Sequence, residues 1–507
     1  MNGFRSSTAF VSAFVVAVSL ITHAAGLPQS QSVEIQLQLG EMLFGEGRYQ
    51  ESLEAYRNAV KVAPPDWMRR ARGGLIQSAL RVAEFEDARV EAEQLIKESP
   101  RAPETMALYG DALWASGLFE QAEAKYKEAL ATTPELARGL HGMARSLAAR
   151  GQFDSAMVEA QAALKLAPRD LEIHHTVGSI YERTHKYEEA ANAYTNYVNL
   201  LPNKDTSYKA SWSRNEIRFL RSFGDRVPFE AEAGSDDKVF SLPFKLVNDK
   251  VVVRARVNGA REQDFVVDTG SESTVITRPT AQRLGVLPIT QALSAGVGDV
   301  GLRGLQLARI DSLEIGELKL RNIPCLIKNP PLALRDLPTR ETESLSPLAL
   351  GYSMTIDYKT HMITLGKHIP VEPADFELPL RLHRLATVLG TIDGSRQATF
   401  IIDTGGEVIS ISEASANALS KREQGRKIQL RVYGSSGWDQ NAFLLPGVNL
   451  AFDAIQYRNF SVVVLNLDTP SALLGFQVGG IVGHRFLSGY KVSIDLERSM
   501  LRLKKLA

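Results

Sequence analysis

The chain has 507 residues, 44% hydrophobic and 23% charged, with Lys plus Arg and Asp plus Glu equal at 58 each. That length exceeds one ordinary core and implies two or three domains of a globular protein. The zero formal charge excludes both the basic field of a nucleic-acid binder and a long acidic tail.

Residues 1–26 read as a signal peptide. Arg5 precedes an apolar run, Ala9 to Ile21, and the small residues Ala24, Ala25 and Gly26 follow. That order of charged, apolar and small segments is the secretory pattern. The run is shorter than the roughly 20 residues a spanning helix needs. The expectation is an exported protein, periplasmic or secreted, with no stable membrane span after cleavage. Cys325 is the one cysteine, so stability must come from packing and not from an internal disulfide. It lies in the strand-like run Ile323 to Ile327, as a small buried residue and not a nucleophile. The histidines form no ligand spacing, so no metal site and no cofactor are expected.

Residues 33–226 carry a repeat. Ala88, Ala122, Ala156 and Ala190 recur every 34 residues, as do Pro100, Pro134, Pro168 and Pro202. An aromatic stands three residues before each alanine: Phe85, Phe119, Phe153 and Tyr187. An earlier copy has Gly40, Tyr49, Tyr56, Ala59 and Pro64, with Ser52 where the alanine repeats. Small residues permit close helix crossings, aromatics fill the adjoining gaps, and proline ends the second helix of each unit. From Val33 to Pro202 the segment resembles five tetratricopeptide repeats, and Ser207 to Phe223 reads as an amphipathic capping helix. Such arrays expose a groove, so the resemblance implies a protein or peptide partner docked there, or an intramolecular scaffold.

From about Phe229 the pattern changes to short alternating strands with Gly, Asn and Asp turns. Residues 229–370 and 371–507 form two related halves. Phe265-Val266-Val267-Asp268-Thr269-Gly270-Ser271 recurs 135 residues later as Phe400-Ile401-Ile402-Asp403-Thr404-Gly405-Gly406. The turns Asn258-Gly259 and Asp393-Gly394 keep the same offset. Tyr352 to Asp357 matches Tyr490 to Asp495 at an offset of 138.

Both halves resemble lobes of retropepsin-like aspartic peptidases. The fold implied is an all-α tetratricopeptide-repeat solenoid followed by an all-β bilobal acid-protease fold. The resemblance makes Asp268 and Asp403 the catalytic pair of an aspartic-type endopeptidase (a hydrolase) with a polypeptide substrate. Two carboxylates held close share a proton. The ionised member activates a water and the protonated one donates to the scissile carbonyl. Gly270 and Gly405 let the backbone turn sharply beside them. By the same resemblance, Thr269 and Thr404 cross-brace the two turns. Gly296 and Gly298 in the first half, and Gly434 and Gly437 in the second, are the candidate flaps. The second half keeps the family's apolar-apolar-glycine segment at Ile481-Val482-Gly483, whereas the first reads Ser344-Leu345-Ser346 at the aligned positions. That difference removes a glycine expected to support Asp268. Ser271 can donate to the neighbouring carboxylate, whereas Gly406 has no side chain to do so. The alternative reading is a catalytically silent peptide-binding or scaffold protein that uses the repeats and degenerate lobes. Asp468-Thr469-Pro470 is a decoy, because proline cannot make the turn.

Overall fold

The computed structural model describes residues 29–298, 303–328, 343–419, 427–434 and 436–506. The expected signal peptide lies outside them, as do Asp299 and Ser435 beside the candidate flap glycines. No helix among the described residues is long and apolar enough to cross a membrane.

The first part of the chain is helical. Successive helices pair from Gln29–Gly45 with Tyr49–Val62 through to Leu171–Arg183 with Tyr187–Leu200, and Tyr208–Arg221 follows as a cap. Between the members of each pair stands one residue at positive φ: Gly47, Ala83, Gly117, Gly151 and His185. A left-handed residue there ends the first helix and returns hydrogen bonds to its last carbonyls, as when the Leu118 amide donates to Leu113 O at 2.9 Å. The recurring Ala88, Ala122, Ala156 and Ala190 are all 0% exposed. Ser52 fits the same kind of site because its hydroxyl donates to Gly40 O at 2.8 Å. Tyr126 explains why glycine stands opposite it. A Cβ on Gly110 would lie 2.5 Å from its ring, and one on Gly142 2.3 Å.

The array curls back on itself. Arg81 of the second repeat pairs with Glu172 of the fifth, and Asn203 Nδ2 donates to Glu46 O at 2.7 Å.

The second part is β-rich. Among the described residues, a nine-stranded and an eight-stranded sheet make the two lobes, and a six-stranded sheet joins them. At the centre of the joining sheet Ser353–Asp357 runs antiparallel to Tyr490–Asp495, with Thr355 opposite Ser493. Their hydroxyls lie 2.9 Å apart. The pseudo-twofold axis passes between them, which is why these segments repeat in sequence.

The repeats are packed against the protease region. The Gln477 amide donates to Ala115 O at 2.7 Å, and Ser499 Oγ to Arg150 O at 2.7 Å. Arg381 pairs with Glu120 at 2.8 Å. Phe119 and Phe476 meet edge to face at 5.1 Å, inside a shared apolar cluster with Trp114 and Val478. Because Phe476 is 0% exposed, Phe476→Ala should cost about 3–5 kcal/mol. Urea unfolding is expected to pass from one transition to two, as the helical and β parts lose their common core.

Candidate active site

Each aspartate is delivered by a buried strand. Gln263–Val267 ends at Asp268 and Arg396–Ile402 at Asp403. Phe265, Val267, Phe400 and Ile402 are 0% exposed and anchor these strands in the lobe cores. A short parallel strand then fixes the turn. Glu343–Leu345 pairs with the first and Gly480–Val482 with the second. The Asp268 amide donates to Leu345 O at 2.8 Å, and the Asp403 amide to Val482 O at 3.0 Å. The altered first-lobe segment therefore does not remove support from Asp268, contrary to the sequence expectation. The support comes from a backbone carbonyl, which the side-chain change leaves in place.

The two turns interlock across the axis. Thr269 Oγ1 donates to Ile402 O at 2.6 Å and accepts from the Thr404 amide at 3.1 Å. Thr404 Oγ1 donates to Val267 O at 2.7 Å and accepts from the Thr269 amide at 3.1 Å. Both threonines are at most 1% exposed. Each glycine of the two Asp-Thr-Gly turns lies against the opposite carboxylate. A Cβ on Gly270 would stand 2.5 Å from Asp403 Cγ, and one on Gly405 2.7 Å from Asp268 Cγ.

The halves differ in how the carboxylates are solvated. Asp403 Oδ1 accepts from the amides of Gly405 and Gly406, both at 2.9 Å. Asp268 Oδ1 accepts from Gly270 at 3.0 Å. Ser271 donates its hydroxyl to Ser273 O at 2.8 Å. It does not serve Asp268 as the sequence suggested, because the following turn presents a better-placed carbonyl. Burial first, and then the charge of Asp403, pushes Asp268 up to about 7. Burial also raises Asp403, but the two amides oppose that shift by stabilising its anion. The extra amide therefore stabilises the Asp403 anion more than that of Asp268.

The candidate flaps meet one another. The Gly296 amide donates to Ser436 Oγ at 3.0 Å, and the Ser436 amide to Val297 O at 2.9 Å. Gly298 has φ of +135°, and a Cβ there would sit 2.5 Å from the Ser436 carbonyl carbon. Gly437 closes the second hairpin opposite Gly434. Val297, Gly434, Asp268 and Asp403 line one cavity.

Sequence reading missed the ion pair between Glu272 of the first lobe and Arg384 of the second, at 2.6 Å. A signal was present, since Glu272 and Glu407 each stand four residues after the aspartate of an Asp-Thr-Gly turn. Asp468 lies away from this chemistry, exposed at the start of helix Asp468–Leu474. Cys325 is buried, and burial raises its thiol well above the ordinary range.

The brace predicts a coupled loss. Thr269→Val and Thr404→Val should each cost about 1–3 kcal/mol by stranding buried polar groups. Urea titrations of the singles and the double should show strong non-additivity, and simple additivity would contradict reciprocal bracing.

Comparisons with known proteins match this construction. The aspartyl-protease family covers residues 253–354 and 388–478. Three tetratricopeptide-repeat families cover residues 33–66, 74–137 and 113–180. Among solved structures, a thermophilic repeat protein of Thermus thermophilus is 23% identical, with a TM-score of 0.31 over 36% of this chain and 98% of that one. PilF of Pseudomonas aeruginosa is 15% identical, with a TM-score of 0.28 over 39% of this chain and 94% of that one. MamA of Desulfovibrio magneticus is 15% identical, with a TM-score of 0.25 over 34% and 98%. A search of curated proteins gave no match. The chain joins a tetratricopeptide-repeat region to an aspartyl-protease domain matched in two segments.

Proposed function

We propose that the protein is an aspartic endopeptidase whose single chain supplies both carboxylates of the site. The observation that carries this reading is the pair Asp268 and Asp403, each set against the glycine of the opposite turn and lining one cavity with the flaps. In this reading Asp403 is ionised and takes a proton from a water between the carboxylates. Asp268 is protonated and donates to the scissile carbonyl oxygen as the water attacks its carbon. Asp403 then passes its proton to the leaving nitrogen, the C–N bond breaks, and Asp268 regains a proton from a hydroxyl of the intermediate as the carboxyl product forms. The flap glycines allow the hairpins to part for entry and close over the strand. The substrate is a polypeptide outside the cytoplasm, as the N-terminal pattern of Arg5, apolar run and small residues suggests. Repeats of this class support a further protein contact.

Asp403→Asn and Asp268→Asn should each lower kcat by about 10³-fold in a peptide-library cleavage assay. Unchanged cleavage in either variant contradicts the mechanism. Activity should fall as pH rises through about 7, where Asp268 loses the shared proton. The same raised value gives protonated Asp268 a favourable contribution to folding. That contribution is full below the ordinary carboxylate range and is lost as pH rises through about 7. Asp268→Asn should flatten that part of the stability profile measured by urea unfolding.

A further inference from the structure

The lobes differ at one rung of the sheet beside the aspartates. In the second lobe Ser410 stands between Val463 and Ile481. In the first, Val275 stands between Leu326 and Ser344. Val275 and Ser410 keep the 135-residue offset of the duplication, so they are counterparts.

Strand alternation sets the direction of the Ser410 side chain. Its neighbours Ile409 and Ile411 are buried in the lobe core, which turns Ser410 to the opposite face. Val463 and Ile481 share that face, in the cluster against which the flap residues Val297 and Val432 pack. These residues, Ser410 included, line the cavity that holds Asp268 and Asp403. Ser410 therefore places a hydroxyl in an aliphatic stretch of wall beneath the flaps. It is 1% exposed, and among the described residues its hydroxyl has no hydrogen-bond partner. A buried hydroxyl left unpaired is unfavourable. The fold does not require it, because Val275, 5% exposed, fills the mirrored place with an apolar side chain.

We infer that Ser410 marks a second-lobe subsite that takes a threonine side chain of the substrate. The inference rests on the peptidase reading. The threonine hydroxyl pairs with that of Ser410, and its methyl group lies on the aliphatic wall. Two hydroxyls suit one another because each can donate and accept. A carboxamide would bring two donors and an acceptor to one hydroxyl and leave the remainder unpaired. A charged side chain would lose water without gaining a counter-ion. The first lobe carries its hydroxyl on the other strand of the rung, at Ser344, so the two walls are not mirror images. The substrate strand is then read in one direction across a pair of carboxylates that is itself nearly symmetric.

The test uses matched peptides with Thr or Val, which have nearly the same shape, at each position around the scissile bond. In wild-type protein Thr should lower KM about fivefold at one position. In Ser410→Ala the two peptides should become equal, and in Ser410→Val the valine peptide should be preferred. Ser410→Val introduces the residue that the first lobe already uses there, so it serves if the alanine variant fails to fold. No Thr preference at any position, or one that survives either substitution, overturns the inference. Fluorescein-labelled copies of the same peptides are also titrated onto Asp403→Asn protein, with and without Ser410→Val. Absence of Asp403-dependent cleavage in wild type would sink the peptidase reading. The titration would still decide the subsite, because equal affinity for Thr and Val peptides, or no binding of either, contradicts it.

Discussion

Two like-charged carboxylates must be held against each other, and the protease region is organised around that constraint. Ionising both at close range in a half-buried cleft is costly, so the pair keeps a proton. The two turns come from different lobes, so something must pin them together. The threonine hydroxyls do so, each bonded to a backbone carbonyl of the other lobe. The six-stranded joining sheet holds the lobes farther out. Glycine at positions 270 and 405 follows from the same constraint, since any side chain would occupy the space of the opposing carboxylate.

Symmetry of the backbone does not make the two aspartates chemically equal. Both amides meet a carbonyl of the short parallel strand, so the frame is the same. The difference lies one residue further on, where the Gly406 amide reaches Asp403 Oδ1 and Ser271 turns its hydroxyl to Ser273 O. A small change in local hydrogen bonding thereby stabilises the anion of Asp403 more than that of Asp268. The helical region adds a second asymmetry, because its turns bond to the second lobe at Gln477 and Ser499 and its cap packs beside the first flap.

Features fixed by local backbone geometry were legible in the sequence. The 34-residue period records where alanine, aromatic and proline must stand for one helix pair to stack on the next. The repeated Asp-Thr-Gly records a sharp turn, and its preceding apolar strand records burial. The matching Asn258-Gly259 and Asp393-Gly394 turns, all at positive φ, gave the internal duplication. Contacts that use backbone atoms or surface-like side chains were not legible. Leu345 O supports Asp268 whatever the side chain is, so the altered segment looked like a loss. Phe119 reads as repeat core, yet it also meets Phe476. Nothing in the helical sequence marks Glu120 as the partner of Arg381, since that pairing depends on how the two parts pack.

The shared proton is the point on which the account stands most directly. Difference infrared spectra of wild type minus Asp268→Asn, recorded from acidic to alkaline pH, isolate the carbonyl stretch of that carboxylic acid. The account predicts a protonated-carboxyl band that is present at mildly acidic pH and disappears as pH rises through about 7. A spectrum in which Asp268 is already a carboxylate at mildly acidic pH would contradict it.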